Sequence, residues 1–284
     1  MQGQERRERA YRAGARMAKE RIRREAPEDA AALDQVAASD IVVVRGCYDH
    51  VEQVLGALEM PHTVISDHQL AGVALRPEQL LVVNCPGNVG RGAVGQIRDF
   101  VAAGGSLFTT DWALKHVVEP AFPGLVSYNE HPTRDDVVRI EITDHDNPFL
   151  KGVIDGADDP QWWLEGSSYP IRVDDPERVK VLIKSRDLGQ RYGEEPVAIL
   201  FEHGAGEVFH MISHYYLQRT ELRTERHSMA ASSYYEEKGM SVPDGANISS
   251  LSLGDVEAAQ TSSRLFSNVI ASKKRKEAQR KGSR

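Results

Sequence analysis

Short apolar runs alternate with helical patterns over the first half of the chain. Four runs have the length and the aliphatic character of buried strands, at residues 41–44, 62–66, 80–84 and 106–110. Between them, apolar residues recur at helical spacing from Val51 to Leu58 and again over residues 91–103. Strands and helices that alternate at this length predict an α/β fold with a flavodoxin-like, doubly wound and mostly parallel sheet, a Rossmann-like arrangement.

The second half of the chain indicates a smaller antiparallel addition to this sheet. Residues 137–142 alternate between apolar and polar, as in an edge strand, and further strands are predicted at 179–183, 196–202 and 206–212. A hairpin turn at residues 203–206 would join the last two strands, and residues 186–195 are predicted to form a turn.

Composition divides the chain into segments. A charged N-terminal helix or tail is predicted at residues 1–38, with only a thin apolar stripe, so we expect it to be frayed or loosely docked. The α/β domain covers 39–272 and ends in a closing helix; within it, residues 219–255 are polar and turn-rich and are predicted to be a mobile insertion. Residues 273–284 form a basic C-terminal tail.

The net charge of −7 conceals basic ends on an acidic body. Residues 1–27 carry nine Lys or Arg and four Glu, and residues 273–284 carry seven Lys or Arg and one Glu, so the acidic excess lies between them. An acidic body argues against a dedicated nucleic-acid surface. The ends are predicted to be solvated, although they could contact RNA, an acidic partner or the protein's own body.

Nothing in the chain predicts a membrane segment or a secreted protein. Apolar runs stay shorter than 18 residues, and the first residues lack the apolar stretch of a secretory signal. The two cysteines, Cys47 and Cys85, are too few for a disulfide framework or a cysteine-based zinc site. A reducing cytoplasm is therefore the predicted location.

Two distant stretches resemble the halves of one site. Residues 104–113 and 204–214 each place glycines before a short β-prone run that ends on polar residues, Asp111 in the first and His214 in the second. Because ligands bind outside the carboxyl ends of strands in open α/β sheets, both residues are candidates for one crevice.

The order of these elements resembles the class I glutamine amidotransferase-like fold, in particular its trehalose-utilisation-like branch. The resemblance spans residues 40–217 and the closing helix. It is carried by the strand end Cys85-Pro86-Gly87-Asn88-Val89-Gly90, the helix that ends Phe100-Val101-Ala102-Ala103-Gly104-Gly105, the stretch Leu107 to Ala113 at the nucleophile elbow, and the strand from Gly206 to His214.

The resemblance implies a site whose nucleophile is missing. Catalytic amidotransferases hold a Cys at the elbow, where this chain has Asp111 followed by Trp112, and a carboxylate is a poor nucleophile toward an amide. His214 is followed by Tyr215 and Tyr216 instead of the family's Pro and Glu. We therefore predict a divergent, amidotransferase-like pseudoenzyme without glutaminase activity.

Asp111 itself has three interpretations. It can cap the helix that follows, act as a general acid or base with His214, or bind a metal together with His210, His214 or Glu165. The predicted catalytic residues are Asp111 and His214, with Glu165 assisting. The sequence predicts no cofactor, and no metal is included in the predicted site.

Further residues near the strand ends are candidate ligand contacts. The aromatic patch around Trp163 and Tyr169 could stack a sugar or another flat ligand, although core packing explains it equally simply. The remaining candidates follow the same strands; they are Cys85, Gly87, Asn88, Trp112 and His210. Cys85 is expected to be a buried structural residue and not a displaced nucleophile.

Two classes of function stay open. The first is a binding or scaffold subunit that recognises a small polar ligand or a protein partner, which could be another copy of itself in a homo-oligomer. This class involves no membrane, and nucleic acid is reached only through the basic ends. The second is a hydrolase acting on a carbohydrate-like or other small polar substrate through an Asp/His acid–base pair.

Overall fold

The computed structural model describes residues 2–160, 162–216, 224–244 and 247–282. Its helices are α1 (Gln2–Glu25), α2 (Pro27–Leu33), α3 (Val51–Ala57), α4 (Arg91–Ala102), α5 (Glu119–Ala121), α6 (Arg186–Tyr192), α7 (Glu225–Ser228), α8 (Ala231–Glu237) and α9 (Leu253–Gly282). Its strands are β1 (Ile41–Val44), β2 (Thr63–Ile65), β3 (Leu80–Val83), β4 (Ser106–Thr110), β5 (Val126–Tyr128), β6 (Asp136–Val138), β7 (Glu141–Ile142), β8 (Trp162–Leu164), β9 (Ile171–Val173), β10 (Lys180–Lys184), β11 (Pro196–His203) and β12 (Gly206–Met211).

Within the described residues, eight strands form one central sheet in the order β2-β1-β3-β4-β12-β11-β10-β7. In this sheet, β2, β1, β3, β4 and β12 run parallel to one another. β11 pairs antiparallel with β12, β10 with β11, and β7 with β10. The predicted fold class, a mostly parallel flavodoxin-like sheet with an antiparallel addition, is therefore confirmed. The hairpin between β11 and β12 also forms, with His203 opposite Gly206.

The core lies on both faces of this sheet. β1, β3 and β4 are buried along their whole length, and β1 and β3 are the continuous apolar runs expected of such strands. Phe108 of β4 stacks on Phe209 of β12, and Phe266 of α9 meets Phe108 edge-on. The long helix α9 thus covers one face of the sheet, and α1 packs along α9.

Both charged ends belong to this packed body, which corrects two predictions. Tyr11, Met17 and Ile22 of α1 are buried, so the N-terminal helix is docked and not frayed. The basic residues after 272 continue α9, where Lys273 donates to the backbone oxygens of Pro77 and Gly104. The prediction of a solvated tail is wrong for residues 274–276, because Asp40, Asp29 and Glu207 of the acidic body pair with Lys274, Arg275 and Lys276. Residues 278–282 are exposed, and residues 283 and 284 lie outside the described part.

Two weaker patterns folded differently from their predictions. Residues 137–142 divide between β6 and β7, which belong to different sheets. The turn predicted at 186–195 contains α6, which Ser185 caps by accepting from the backbone N–H of Leu188. Short polar helices of this kind have no apolar periodicity to reveal them.

The predicted mobile insertion holds α7 and α8 in its described part. Tyr234 and Tyr235 of α8 are buried, and α8 packs against α9. Residues 217–223 and 245–246 lie outside the described residues, so the limits of this segment stay a prediction. Within the described residues, no helix is long and apolar enough to cross a membrane.

Candidate functional site

Three neighbouring parallel strands bring polar groups to one edge of the sheet. Asp111 follows β4 directly, Cys85 follows β3 after one intervening residue, and His214 follows β12 after two. All three side chains are buried, and one potential donor atom of each lies within 4.8 Å of the others. The two strand ends predicted to form one site therefore meet, with Cys85 beside them.

Asp111 lies in a strained turn that aims its carboxylate away from the next helix. Its φ of 45° is in the left-handed region, which non-glycine residues rarely adopt. One carboxylate oxygen accepts from the hydroxyl of Ser168 at 3.0 Å and the other from the backbone N–H of Tyr169 at 2.9 Å. Because these partners come from a distant loop, the capping interpretation of Asp111 is wrong.

His214 lies between two carboxylates. Its Nε2 is 3.4 Å from Oδ2 of Asp111, and its Nδ1 is in close contact with Oε2 of Glu165. The side chains of Asp111 and His214 are 2% and 4% exposed, whereas that of Glu165 is 34% exposed. The three predicted catalytic residues thus form one cluster that reaches solvent through Glu165.

The burial of this cluster shifts its protonation. Burial raises the pKa of Asp111 to about 7, although His214 and the two hydrogen bonds to its carboxylate oppose the rise. Burial alone would lower the pKa of His214, but contact with Glu165 and the charges of Asp49 and Asp111 raise it overall. Burial, with Asp111 nearby, raises the pKa of the Cys85 thiol well above its usual range. Asp111 therefore exchanges a proton near neutral pH, while Cys85 does not act as a free thiolate.

Asp49 fixes the backbone that carries His214, and sequence reasoning missed it. Its buried carboxylate accepts from the backbone N–H groups of Tyr215 and Tyr216 at 2.8 and 3.0 Å. It follows β1 at the same sheet edge, which is the one signal that could have identified it. Ser168 was also missed, because its contact with Asp111 depends on how a distant loop folds.

Aromatic rings line the approach to Asp111. Tyr169 stacks between Trp112 and Tyr128, with ring centroids 5.4 and 4.0 Å away. Tyr48, which is 46% exposed, meets Trp112 edge-on at 5.3 Å. The predicted ligand contacts Trp112 and Tyr169 are therefore part of this aromatic wall.

Trp163 and His210 belong neither to the aromatic wall nor to the cluster around Asp111. Trp163 is buried in a small apolar cluster with Val137 and Ala258 and donates to Asp135, so its ring is used in packing. His210 is buried within β12, where Nδ1 is 2.9 Å from the hydroxyl of Thr109 and burial lowers its pKa to about 3. Among the described residues it does not join the cluster of Cys85, Asp111 and His214.

Gly87 and Asn88 line a different feature. They border a groove of about 710 Å³ with Arg91, Arg98 and Lys115, and its lining includes neither Asp111 nor His214. The role of Gly87 and Asn88 as contacts of a ligand at the carboxylates therefore stays a prediction.

Comparisons with known proteins find similarity in three dimensions only. No protein-family model matches the chain, and no curated protein matches its sequence. The site and fold define an α/β protein with a buried Asp–His–Glu cluster at the carboxyl edge of a parallel sheet.

Several solved structures share part of this fold. An exo-β-1,4-mannosidase from an Opitutaceae bacterium is 10% identical with a TM-score of 0.44, over 64% of this chain and 32% of its own. A ThuA-like protein from Bacteroides uniformis is 11% identical with a TM-score of 0.43, over 62% and 82% of the two chains. A cytoplasmic protein from Salmonella typhimurium is 9% identical with a TM-score of 0.44, over 62% and 88%.

The chain spans about a third of the mannosidase, and 29% of a β-galactosidase from Rahnella that is 15% identical with a TM-score of 0.42. These similarities assign neither a family nor an activity to this chain.

Proposed function

We propose that this protein is a divergent amidotransferase-like hydrolase that acts on a small polar, carbohydrate-like substrate and has no glutaminase activity. The observation that carries the proposal is the contact of His214 with Asp111 on one side and Glu165 on the other. A surface salt bridge would not need this burial, whereas acid–base catalysis uses groups whose pKa values are shifted by it.

The cluster contains the groups that hydrolysis requires. A proton held between Asp111 and His214 can pass to the oxygen of the departing group as its bond to carbon breaks. Glu165, the most exposed member, can accept the proton of the water whose oxygen forms the new bond. The pKa of Asp111 near 7 supports this, because an acid or base works best when its pKa is close to the operating pH.

The aromatic wall supports a substrate with a ring. Tyr48, which is 46% exposed, meets Trp112 next to Asp111, and these two rings offer apolar contact for a sugar or another flat ring. The same wall also favours a second candidate function, in which the crevice binds such a ligand, or a partner's aromatic side chain, without hydrolysing it.

We expect no glutaminase activity because the thiol of Cys85 is buried and does not lie at the position of the nucleophile. Asp111 occupies the strained turn where a nucleophile would lie. Cys85 is buried, and the pKa of its thiol is raised, so the reactive thiolate is scarce at neutral pH.

A panel of nitrophenyl glycosides and esters tests the proposal. We expect turnover by the wild type and a loss of roughly 100-fold or more in Asp111→Asn, His214→Gln and Glu165→Gln. Asp99→Asn and His68→Gln, whose side chains are exposed, are matched controls and should retain turnover.

Two outcomes would contradict a hydrolase. One is turnover that survives Asp111→Asn. The other is no turnover of any panel member while mono- and disaccharides raise the melting temperature of the wild type but not of Trp112→Ala, a result that would favour the binding function.

A further inference from the structure

We infer that the crevice binds one divalent transition-metal ion through Sγ of Cys85, the carboxylate of Asp111 and Nε2 of His214. The inference rests on the proposed function in placing the ion at the reacting end of the same crevice. The three ligands are far apart in the sequence, because Asp111 lies 26 positions after Cys85 and His214 lies 103 positions after Asp111. Only the folded chain brings their donor atoms together.

The spacing of the donors suits a single ion. Their donor atoms lie within 4.8 Å of one another, and Asp111 Oδ2 is 3.4 Å from His214 Nε2. Ligands bound to one tetrahedral ion at about 2.0–2.3 Å lie roughly 3.3–3.8 Å apart, so small side-chain rotations would complete the set.

Nε2 of His214 lacks the hydrogen bond that its burial would otherwise require. Nδ1 contacts Glu165, but Nε2 has no partner of suitable geometry among the described residues, although the side chain is only 4% exposed. A buried polar atom without a partner is costly and needs an explanation. An ion bound at Nε2 would supply that partner.

The surrounding groups resemble the outer shell of a metal site. Glu165 contacts Nδ1 of His214 and can hold the tautomer that leaves Nε2 free for the ion, as carboxylates do behind metal-bound histidines. Ser168 and the backbone of Tyr169 orient the carboxylate of Asp111. The three ligands are therefore supported from outside before any ion arrives.

The local charge also favours a cation. Asp111, Glu165 and Asp49 all act electrostatically on His214. Within the described part of the chain, no Lys or Arg forms an ion pair with Asp111 or Asp49. A divalent ion would offset buried negative charge for which His214 is otherwise the cationic partner among the described residues.

The mixed sulfur, nitrogen and oxygen set selects the type of ion. A thiolate and an imidazole favour zinc, iron or cobalt over magnesium and calcium, which prefer oxygen ligands alone. Three protein ligands leave a coordination position for water or substrate, as in catalytic zinc sites, and the bound ion would polarise whatever occupies it. The bound ion would displace the proton held between Asp111 and His214 and would stabilise the departing oxygen in its place, and Glu165 would remain the group that accepts protons.

Metal titration of the full chain tests the inference without any substrate. We expect the chelator-treated wild type to bind one equivalent of Zn²⁺, and the Co²⁺ form to show the near-ultraviolet charge-transfer band of a thiolate ligand. Cys85→Ser should abolish the band and weaken Zn²⁺ binding at least tenfold. Asp111→Asn and His214→Gln should each weaken Zn²⁺ binding at least tenfold as well. Cys47→Ser, which alters the exposed cysteine, should change neither.

The inference fails if the wild type binds no Zn²⁺ or Co²⁺ at micromolar concentration, or if the cobalt band is lost in Cys47→Ser and kept in Cys85→Ser. Hydrolysis is measured separately. Turnover that persists in chelator-treated protein without metal binding overturns the metal site alone. Stoichiometric binding without turnover overturns the hydrolase alone.

Discussion

Asp111 combines a strained backbone with a buried carboxylate whose orientation depends on one loop. A non-glycine residue at positive φ costs on the order of 1 kcal/mol and persists where surrounding contacts hold it. Here the contacts are the hydroxyl of Ser168 and the backbone N–H of Tyr169. The strain therefore aims the carboxylate at His214, where a relaxed helix cap would aim it at the next turn.

Removal of the Ser168 hydroxyl should loosen this orientation. We expect Ser168→Ala to lower kcat by roughly 10-fold with little change in KM, because the hydroxyl positions Asp111 and does not touch substrate. Steady-state kinetics on the best substrate of the glycoside and ester panel measures the split. Ser167→Ala, which alters an exposed neighbour, is the control, and an equal effect of both variants would contradict a positioning role.

His210 makes stability depend on pH in a known direction. Burial lowers its pKa to about 3 from an ordinary value of 6.5, so the folded protein keeps it neutral while the unfolded chain takes up a proton. Its contribution is complete above pH 6.5 and is lost as the pH falls toward 3, at up to about 1.4 kcal/mol per pH unit. Urea unfolding at pH 7.5 and 5 should show this loss in the wild type.

The same unfolding experiment on a variant isolates the histidine. In His210→Gln the difference in unfolding free energy between pH 7.5 and 5 should shrink by about 2 kcal/mol, since other titrating groups are unchanged. His68→Gln, which alters an exposed side chain, should leave the difference as it is. An unchanged pH dependence in His210→Gln would show that the buried ring is protonated in the folded state.

At the scale of elements, the glycines before the two strand ends are explained by packing. A Cβ on Gly206 would collide with the backbone oxygens of Gly105 and Val101, so the start of β12 lies directly against the end of α4. This close approach sets β12 beside β4 and therefore brings His214 to Asp111. The glycine-led pattern reflects how the strands are placed and not how a phosphate or other ligand is bound.

A glycine substitution tests this placement. Gly206→Ala should destabilise the protein by roughly 1–3 kcal/mol, because backbone cannot move aside as a flexible side chain can. Gly95→Ala, in the interior of α4 with open space around its Cα, should instead stabilise it by about 0.5–1 kcal/mol. Thermal unfolding compares the two, and a neutral Gly206→Ala would contradict the close approach.

The sequence predicted the buried strands that consist of consecutive apolar residues. β1 and β3 were found because a strand covered on both faces needs a continuous apolar run, whereas α6 and the break between β6 and β7 have no such signal. Asp111, His214 and Glu165 were predicted from strand ends and nearby acidic residues. The contributions of Ser168 and Asp49 were not, because they depend on loops that meet only in the folded chain.

At the scale of the whole molecule, α9 is a polar helix buried on nearly every side. Its residues from Leu253 to Lys273 are buried, including Glu257, Arg264 and Asn268. Such a helix can be buried only when its polar groups find partners, and α1, α7 and the loop after β7 supply them. Arg226 pairs with Glu257, and Asn268 donates to the backbone oxygens of Phe149 and Lys151. The burial of α9 against the sheet therefore depends in part on the charged N-terminal helix α1.

Two ion pairs between α1 and α9 provide a matched test of this dependence. Arg264 is buried, pairs with Glu25 at 3.0 Å and bonds to Asn268, whereas Arg6 is 47% exposed and pairs with Asp255 at 2.6 Å. Arg264→Ala leaves a cavity and removes the partner of the buried Asn268 Oδ1, whereas Glu25 is 28% exposed, so the change should cost about 2–4 kcal/mol of unfolding free energy. Arg6→Ala removes a screened surface pair and should cost at most about 1 kcal/mol. Urea unfolding of both variants measures the difference, and equal costs would mean that α9 is held by its apolar residues and that its buried charges contribute little.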